Sequence, residues 1–308
     1  MTYLLLAAGL VGLFFGGEFL VKGAVGIARR FGLSPLVIGL TVVGFGTSSP
    51  ELLVSLQAAF SGSPAIALGN VVGSNIANIL LILGVTAAIA PVAMGFARLR
   101  RDLAVMLGST LALWLAITGG TLGRIEAAAL LAALAVYLWV ALRSPDPEAA
   151  EEAAEDAPAP TLGRSLLVTL AGFAVLLVSA RLLVTSATTI ARDLGFSEAV
   201  IGLTVVAVGT SLPELATSVV AALRRQGDIA IGNVLGSNIF NILCILGITG
   251  LIAPMPVDPR FVSLDMPIAA GVALAVLALS WGLGRLGRAG GIALLAGYGG
   301  YIASMAAA

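Results

Sequence analysis

The sequence predicts an all-α membrane protein of ten transmembrane helices, arranged as two inverted-topology repeats of five. Three observations lead there. Of 308 residues, 59% are hydrophobic and only 10% are charged, against about 25% charged in soluble domains. Ten apolar runs have the roughly 20-residue length that a helix needs to cross a bilayer. Finally, the second half repeats the first at a constant offset. "GTSSPE" at 46–51 returns as "GTSLPE" at 209–214, "VIGLTVV" at 37–43 returns at 200–206, and "GNVVGSNIANILLILG" at 69–84 returns as "GNVLGSNIFNILCILG" at 232–247. The shift is 163 each time (210 − 47, 200 − 37, 232 − 69), and it carries Asp102 onto Asp265 without a gap.

Span 1, residues 3–28, is too long and too closely followed by further apolar runs to be a cleaved signal peptide. Its Glu18 and Lys22 stand at i and i+4, a spacing that predicts a pair on one face. Span 2, 33–61, contains Pro50, which lacks an N–H and disturbs the carbonyl of Gly46. Gly44 and Gly46 loosen the same turns. Span 3, 65–90, places Gly69 and Gly73 four apart, a spacing that lets helices approach closely. Spans 4 and 5, 102–119 and 122–142, complete a first unit, 1–142. Residues 143–163, which include "RSPDPEAAEEAAEDAPAP", read as a solvated linker rich in Pro, Ala and acid. Its carboxylates have no EF-hand spacing. The second unit, 164–308, repeats the pattern with spans at 164–191, 196–223, 228–253, 262–282 and 286–306. There Arg181 takes the place of Glu18, Pro213 that of Pro50, and Gly232 and Gly236 those of Gly69 and Gly73.

Five is an odd number, so the second unit enters the membrane upside down, an architecture of secondary transporters whose sites lie near the bilayer midplane. Lys and Arg favour cytoplasmic loops. Loops after the odd-numbered spans hold Arg29, Arg30, Arg98, Arg100, Arg101, Arg143, Arg164, Arg224, Arg225, Arg285 and Arg288, whereas the other face holds Arg124, Arg192 and Arg260. Eleven against three puts both termini outside and the acidic linker in the cytoplasm. The abundant Ala, Gly, Leu and Arg fit a prokaryotic chain, hence a multi-pass protein of the cell (inner) membrane.

The residue inventory narrows the function. There is no histidine, and Lys22 is the only lysine. An intramembrane hydrolase would therefore lack a nucleophile–base pair, and the chain is not expected to be an enzyme. No Walker-type loop points to ATP. The single cysteine, Cys244, excludes an intrachain disulfide and reads as a small apolar filler. Neither nucleic acid nor an obligatory protein partner is indicated, and no cofactor is expected.

Of sixteen acidic residues, six lie in the linker and seven at predicted span ends, Asp102 and Asp265 among them. Glu18, Glu51 and Glu214 remain at depth, where a charge costs at least about 2.5–3.5 kcal/mol and marks a pathway or a pair. Glu51 and Glu214 share one repeat position, so the two-fold relation brings them together. Thr47, Ser48 and Glu51 stand at i, i+1 and i+4, as do Thr210, Ser211 and Glu214. In the following spans Ser74 and Asn78 are i, i+4, and so are Ser237 and Asn241. Asn70, Asn75, Asn233 and Asn238 are expected to brace helix ends. Carboxylates, hydroxyls, amides and freed carbonyls, with no thiolate or imidazole, suit hard cations such as calcium and sodium. Two ionised glutamates balance one divalent ion or two monovalent ions, and competition for one oxygen cage is the physical basis of exchange.

"GTSSPE…GNVVGSNIANI" and "GTSLPE…GNVLGSNIFNI" resemble the two α-repeats of the cation/calcium exchanger superfamily, in its prokaryotic sodium/calcium exchanger branch, and the likeness covers both halves. It implies a diamond of spans 2, 3, 7 and 8 with long spans 1 and 6 sliding across it. It implies ion ligands at Thr47, Ser48, Glu51, Ser74 and Asn78, at Thr210, Ser211, Glu214, Ser237 and Asn241, and at the carbonyls of Gly44 and Ala207. It further implies inward sodium exchanged for outward calcium. This chain departs from the family in two places. Asn241 stands where potassium-dependent members carry aspartate, which argues against potassium cotransport, and Arg181 replaces an acid often kept in span 6. A proton/calcium antiporter on the same scaffold and a passive cation channel remain alternatives at this stage.

Overall fold

The computed structural model describes residues 2–62, 64–143, 160–194 and 209–306. Most of the predicted linker and the first part of the predicted seventh span, Ala207 included, lie outside these residues. Helix α1 is Thr2–Phe31. Next comes α2, Pro35–Thr47, followed at a 42° bend by α3, Ser49–Phe60. Ser34 caps α2 by accepting from the N–H of Val37 at 3.3 Å, and Pro35 supplies the fixed φ suited to a first helical position. Helix α4 runs from Pro64–Ala77 through a π-turn at Asn78–Leu83 into Gly84–Ile89. Then follow α5, Phe96–Ile117, α6, Arg124–Arg143, and α7, Leu162–Asp193. Helix α8 is Leu212–Leu223, and α9 runs from Gly227–Phe240 through a π-turn at Asn241–Leu246 into Gly247–Ile252. The chain closes with α10, Phe261–Leu283, and α11, Arg288–Ala306.

This is an all-α membrane protein. Among the described residues six helices are long and apolar enough to cross a bilayer, or seven if α2 and α3 form one bent span. Helix α5 is long but opens with Arg98, Arg100, Arg101 and Asp102, which dilute its apolar stretch. Burial sorts the helices into layers. The apolar windows of α4 and α9 are 72% and 83% buried by protein, whereas those of α1, α6, α7 and α10 are 28–33% buried and turn most of their surface outward. Helices α4 and α9 therefore form the centre, and the polar residues predicted to matter sit on them and on the turns beside them.

Close backbone contact holds this centre. A Cβ on Gly236 would lie 2.3 Å from the carbonyl oxygen of Leu40, so α9 seats directly on α2. Gly232 makes a similar approach to Leu36. The repeat predicts the same contact for Gly69 and Gly73 against residues that lie outside those described. Helix α1 packs along α7 in the antiparallel sense: Gly9 meets Leu183, Gly16 meets Leu176 and Gly23 meets Thr169. The contact of Gly9 with Leu183 has a counterpart in that of Gly172 with Leu20 (9 + 163 = 172, 183 − 163 = 20). Two short ribbons cross between the halves. Strand β1, Val92–Ala93, pairs antiparallel with β4, Arg285–Leu286, and β2, Thr121–Leu122, pairs antiparallel with β3, Met255–Pro256.

Two sequence expectations are refined or corrected. Asp102 and Asp265, expected at span ends, lie in the first turns of their helices and are buried there, at 0% and 4% relative exposure. Helix α5 begins six residues before the predicted span, which draws Asp102 inside. Arg101 grips it at 2.9 Å and the Tyr137 hydroxyl donates to it at 3.3 Å. Asp265 is held by Arg260 at 3.4 Å and by Tyr301 at 3.4 Å. Glu18 does not pair with Lys22 on its own helix. The guanidinium of Arg224, just past α8, takes it instead.

Candidate cation site

The site begins with two helix breaks. Ser48 (φ −81°, ψ 4°) and Ser211 (φ −89°, ψ 8°) leave helical geometry at the same repeat position. A new helix starts after each, with Pro50 or Pro213 in its first two positions, where a missing N–H costs nothing. The breaks therefore place Glu51 and Glu214 in the first turns of α3 and α8. The positive end of a helix dipole and its unpaired N–H groups favour a carboxylate there.

The two carboxylates are buried, at 0% and 1% exposure, and close enough to repel one another when both are ionised. They are held reciprocally. The Ser48 hydroxyl donates to Oε1 of Glu214 at 3.2 Å, and the Ser211 hydroxyl donates to Oε1 of Glu51 at 3.3 Å. Thr47 stands beside Glu214, and Thr210 beside Glu51. The second oxygen of each glutamate, Oε2, is buried with no hydrogen-bond partner. So are Oδ1 of Asn241 and both amide atoms of Asn78. Unsatisfied buried oxygens, two of them on carboxyl groups, are costly unless a cation takes them.

Some of the remaining predicted ligands meet around Thr47, beside Glu214. The Thr47 hydroxyl lies 3.0 Å from Oδ1 of Asn233, and 3.1 and 3.3 Å from the carbonyls of Val43 and Gly44. Ser237 reaches the Gly44 carbonyl at 3.4 Å and stands 3.5 Å from the Thr47 hydroxyl. Ser74, Asn78, Ser237 and Asn241 are all buried. The π-turns that open at Asn78 and Asn241 widen the helices at matching positions, a distortion frequent at functional sites. Thr210 is half-buried and borders a hollow of about 390 Å³ that is also lined by Pro50, Pro213 and Arg181. Ala207 lies outside the described residues.

The framework asparagines do more than close helix ends. Asn70 donates to the Glu51 carbonyl at 3.1 Å and to Ser55 at 3.1 Å. Asn233 donates to the Glu214 carbonyl at 3.2 Å and to Ser218 at 2.9 Å. Each amide therefore pins the turn that presents a glutamate to the helix beside it. Between the central helices, Asn75 donates to the Asn238 carbonyl at 3.0 Å and accepts from Asn241 at 2.9 Å. Ser55 and Ser218 were not singled out from the sequence. Their matched offset (218 − 55 = 163) is the signal that could have found them.

The family model described as "Sodium/calcium exchanger protein" matches residues 1–143 and 164–306. The chain belongs to the sodium/calcium exchanger family. It is thereby a cation/calcium antiporter and a membrane transporter. Among its relatives is "Sodium/calcium exchanger MaX1" of Methanosarcina acetivorans, 32% identical, with 90% of each chain covered. "Inner membrane protein YrbG" of Escherichia coli is 36% identical, covering 96% of this exchanger and 93% of its own length. The fold matches the solved sodium-calcium exchanger NCX_Mj with a TM-score of 0.86 at 34% identity, covering 99% of this exchanger and 98% of that chain.

Proposed function

We propose that the exchanger moves sodium and calcium in opposite directions by alternating access, the ions competing for the oxygens around Glu51 and Glu214. The observation that carries this reading is the reciprocal pair of serine–glutamate bonds, each of which leaves one carboxylate oxygen buried and unsatisfied. Two negative charges match one calcium or two sodium ions. Thr47, Ser48, Ser74, Asn78, Thr210, Ser211, Ser237, Asn241 and the carbonyls of Gly44 and Ala207 are the neutral oxygens of the cage. All are hard donors of the kind calcium takes six to eight of, and no soft donor competes among them.

The scaffold of this reading is ten spans in two inverted halves, 1–142 and 164–308, joined by a cytoplasmic linker at 143–163. Both termini face outward from a prokaryotic inner membrane. Support comes from contacts that recur with the halves exchanged: Ser48–Glu214 with Ser211–Glu51, Gly9–Leu183 with Gly172–Leu20, and the crossed ribbons. The names of the relatives agree with the ions and the membrane. Transport of net charge follows when more than two sodium ions accompany one calcium, and it responds to voltage at about 2.3 kcal/mol per charge per 100 mV.

The test is uptake into proteoliposomes loaded with sodium and diluted into calcium. Sodium-dependent calcium uptake that a proton ionophore leaves unchanged and Glu51→Gln abolishes supports the reading. Uptake that ignores sodium and follows the pH gradient would transfer the role to protons, and downhill leak without a counter-ion would make the protein a channel.

A further inference from the structure

We infer that Glu18 and Arg224 form a one-sided latch, which holds the exchanger shut on the face where α8 ends. That face is cytoplasmic in the topology proposed above, and the inference rests on that reading and its alternating access. Inverted halves that matched residue for residue would close equally well on either face. A preference between faces therefore comes from places where the repeat is broken, and the packing of α1 on α8 is such a place. The Arg224 guanidinium meets the Glu18 carboxylate through two nitrogens, with Nε 2.8 Å from Oε2. This planar fork on a carboxylate is the stronger geometry of ion pair. One residue earlier, a Cβ on Gly17 would lie 3.2 Å from the Ala216 carbonyl oxygen and 3.1 Å from Cγ2 of Val220. The glycine thus lets the two helices meet beside the ion pair, and Val220 is left buried.

Shifted by 163, none of these features survives. Glu18 becomes Arg181, Arg224 becomes Ser61, Gly17 becomes Ala180, Ala216 becomes Leu53 and Val220 becomes Gln57. Arginine and serine form no ion pair, and Ala180 with Leu53 is bulkier than Gly17 with Ala216. At this place, between α7 and α3, lies the hollow of about 390 Å³, bordered by Leu53, Ala180 and Arg181. Leu53 and Gln57 are exposed. The same helix pairing is closed on one face and open on the other, and the Glu18–Arg224 pair spans the closed side. Arg224 follows directly on α8, the helix that presents Glu214, so the pair ties α1 to the helix that carries half of the cation site. Neither residue touches a transported ion. Both are positioning residues that set which face of the site opens.

The test reads the open face from two thiol probes on the full chain in nanodiscs, with its single cysteine removed by Cys244→Ala. Val220→Cys lies under the latch, and Leu53→Cys borders the hollow. A water-soluble maleimide reaches each probe when its face opens, so the labelling rate follows the population of that state. The Arg224 side chain is 57% exposed and that of Glu18 20%, and an ion pair in such a setting shifts an equilibrium by about fivefold at most. Glu18→Gln should therefore speed labelling at Val220→Cys about threefold and leave Leu53→Cys unchanged or slower. The exchanged pair, Glu18→Arg with Arg224→Glu, should restore the slow rate. A merely structural loosening would quicken both probes and would not be reversed by exchanging the charges. Unchanged labelling at Val220→Cys, quickening of both probes, or failure of the exchanged pair to restore the rate overturns the latch. Saturating calcium or sodium separates that failure from failure of the reading beneath it. Where the ions alter the probes but Glu18→Gln does not, the latch alone falls. Where the ions alter neither probe, alternating access falls with it.

Discussion

Asn233→Ala and Asn70→Ala are equivalent changes by sequence, yet the structure makes them unequal. Asn233 is fully buried and engages three partners: the Glu214 carbonyl at 3.2 Å, Ser218 at 2.9 Å and the Thr47 hydroxyl at 3.0 Å. Asn70 is only part-buried and engages two, the Glu51 carbonyl and Ser55, both at 3.1 Å. Hydrogen bonds between membrane helices contribute about 0.6–1 kcal/mol each. Asn233→Ala should therefore cost about 2–3 kcal/mol and Asn70→Ala about 1–2 kcal/mol. A gap of about 1 kcal/mol corresponds to about 1–2 °C in melting temperature for a chain of 308 residues. Thermal melting of the two variants in one detergent, without calcium, measures the gap directly. Asn70→Ala melting at or below Asn233→Ala would refute the reasoning, because the Thr47–Asn233 bond would then contribute nothing.

Further outcomes follow from the same geometry. Ser48→Ala and Ser211→Ala each remove the donor to the opposite glutamate. Both should weaken calcium binding by about tenfold or more, the cost of a lost bond to a charged group, and by similar factors, as calcium titration of each variant would reveal. Gly236→Ala forces a methyl to 2.3 Å from a backbone oxygen and should sharply reduce folded yield in size-exclusion chromatography, whereas Gly271→Ala, with nothing within 4 Å, should not. Acidification should lower calcium affinity, since a protonated Glu51 or Glu214 offers no charge to the ion, and a pH series of calcium titrations measures it. Tyr137→Phe and Tyr301→Phe should each cost about 1 kcal/mol through the lost bond to Asp102 or Asp265, visible as small and equal drops in melting temperature.

What the sequence made legible was whatever broke a rule twice. Polar residues inside apolar runs are expensive, so Glu51, Glu214 and the hydroxyls around them stood out, and the shared offset paired them before any geometry was known. The breaks at Ser48 and Ser211 could be anticipated because each proline removes a donor at a fixed place. Other features left weaker marks. Asp102 stood among arginines at an apparent span end, and only the true start of α5 at Phe96 brings it inside against Tyr137. Local spacing suggested Lys22 for Glu18, but the partner, Arg224, is 206 residues away, a distance no helical periodicity reports. The asparagines read as helix-end braces, while their target, the carbonyl of the glutamate itself, depends on how α4 lies against α3 and α9 against α8. The π-turns at Asn78 and Asn241 follow from packing and have no composition of their own.

Equilibrium calcium binding to the purified protein, with sodium as competitor, tests the central claim most directly. One calcium per chain should bind, sodium should displace it with a Hill coefficient above one, and Glu51→Gln or Glu214→Gln alone should abolish binding. Calcium binding that survives either substitution, or that sodium leaves untouched, would contradict a single ion cage shared by the two glutamates.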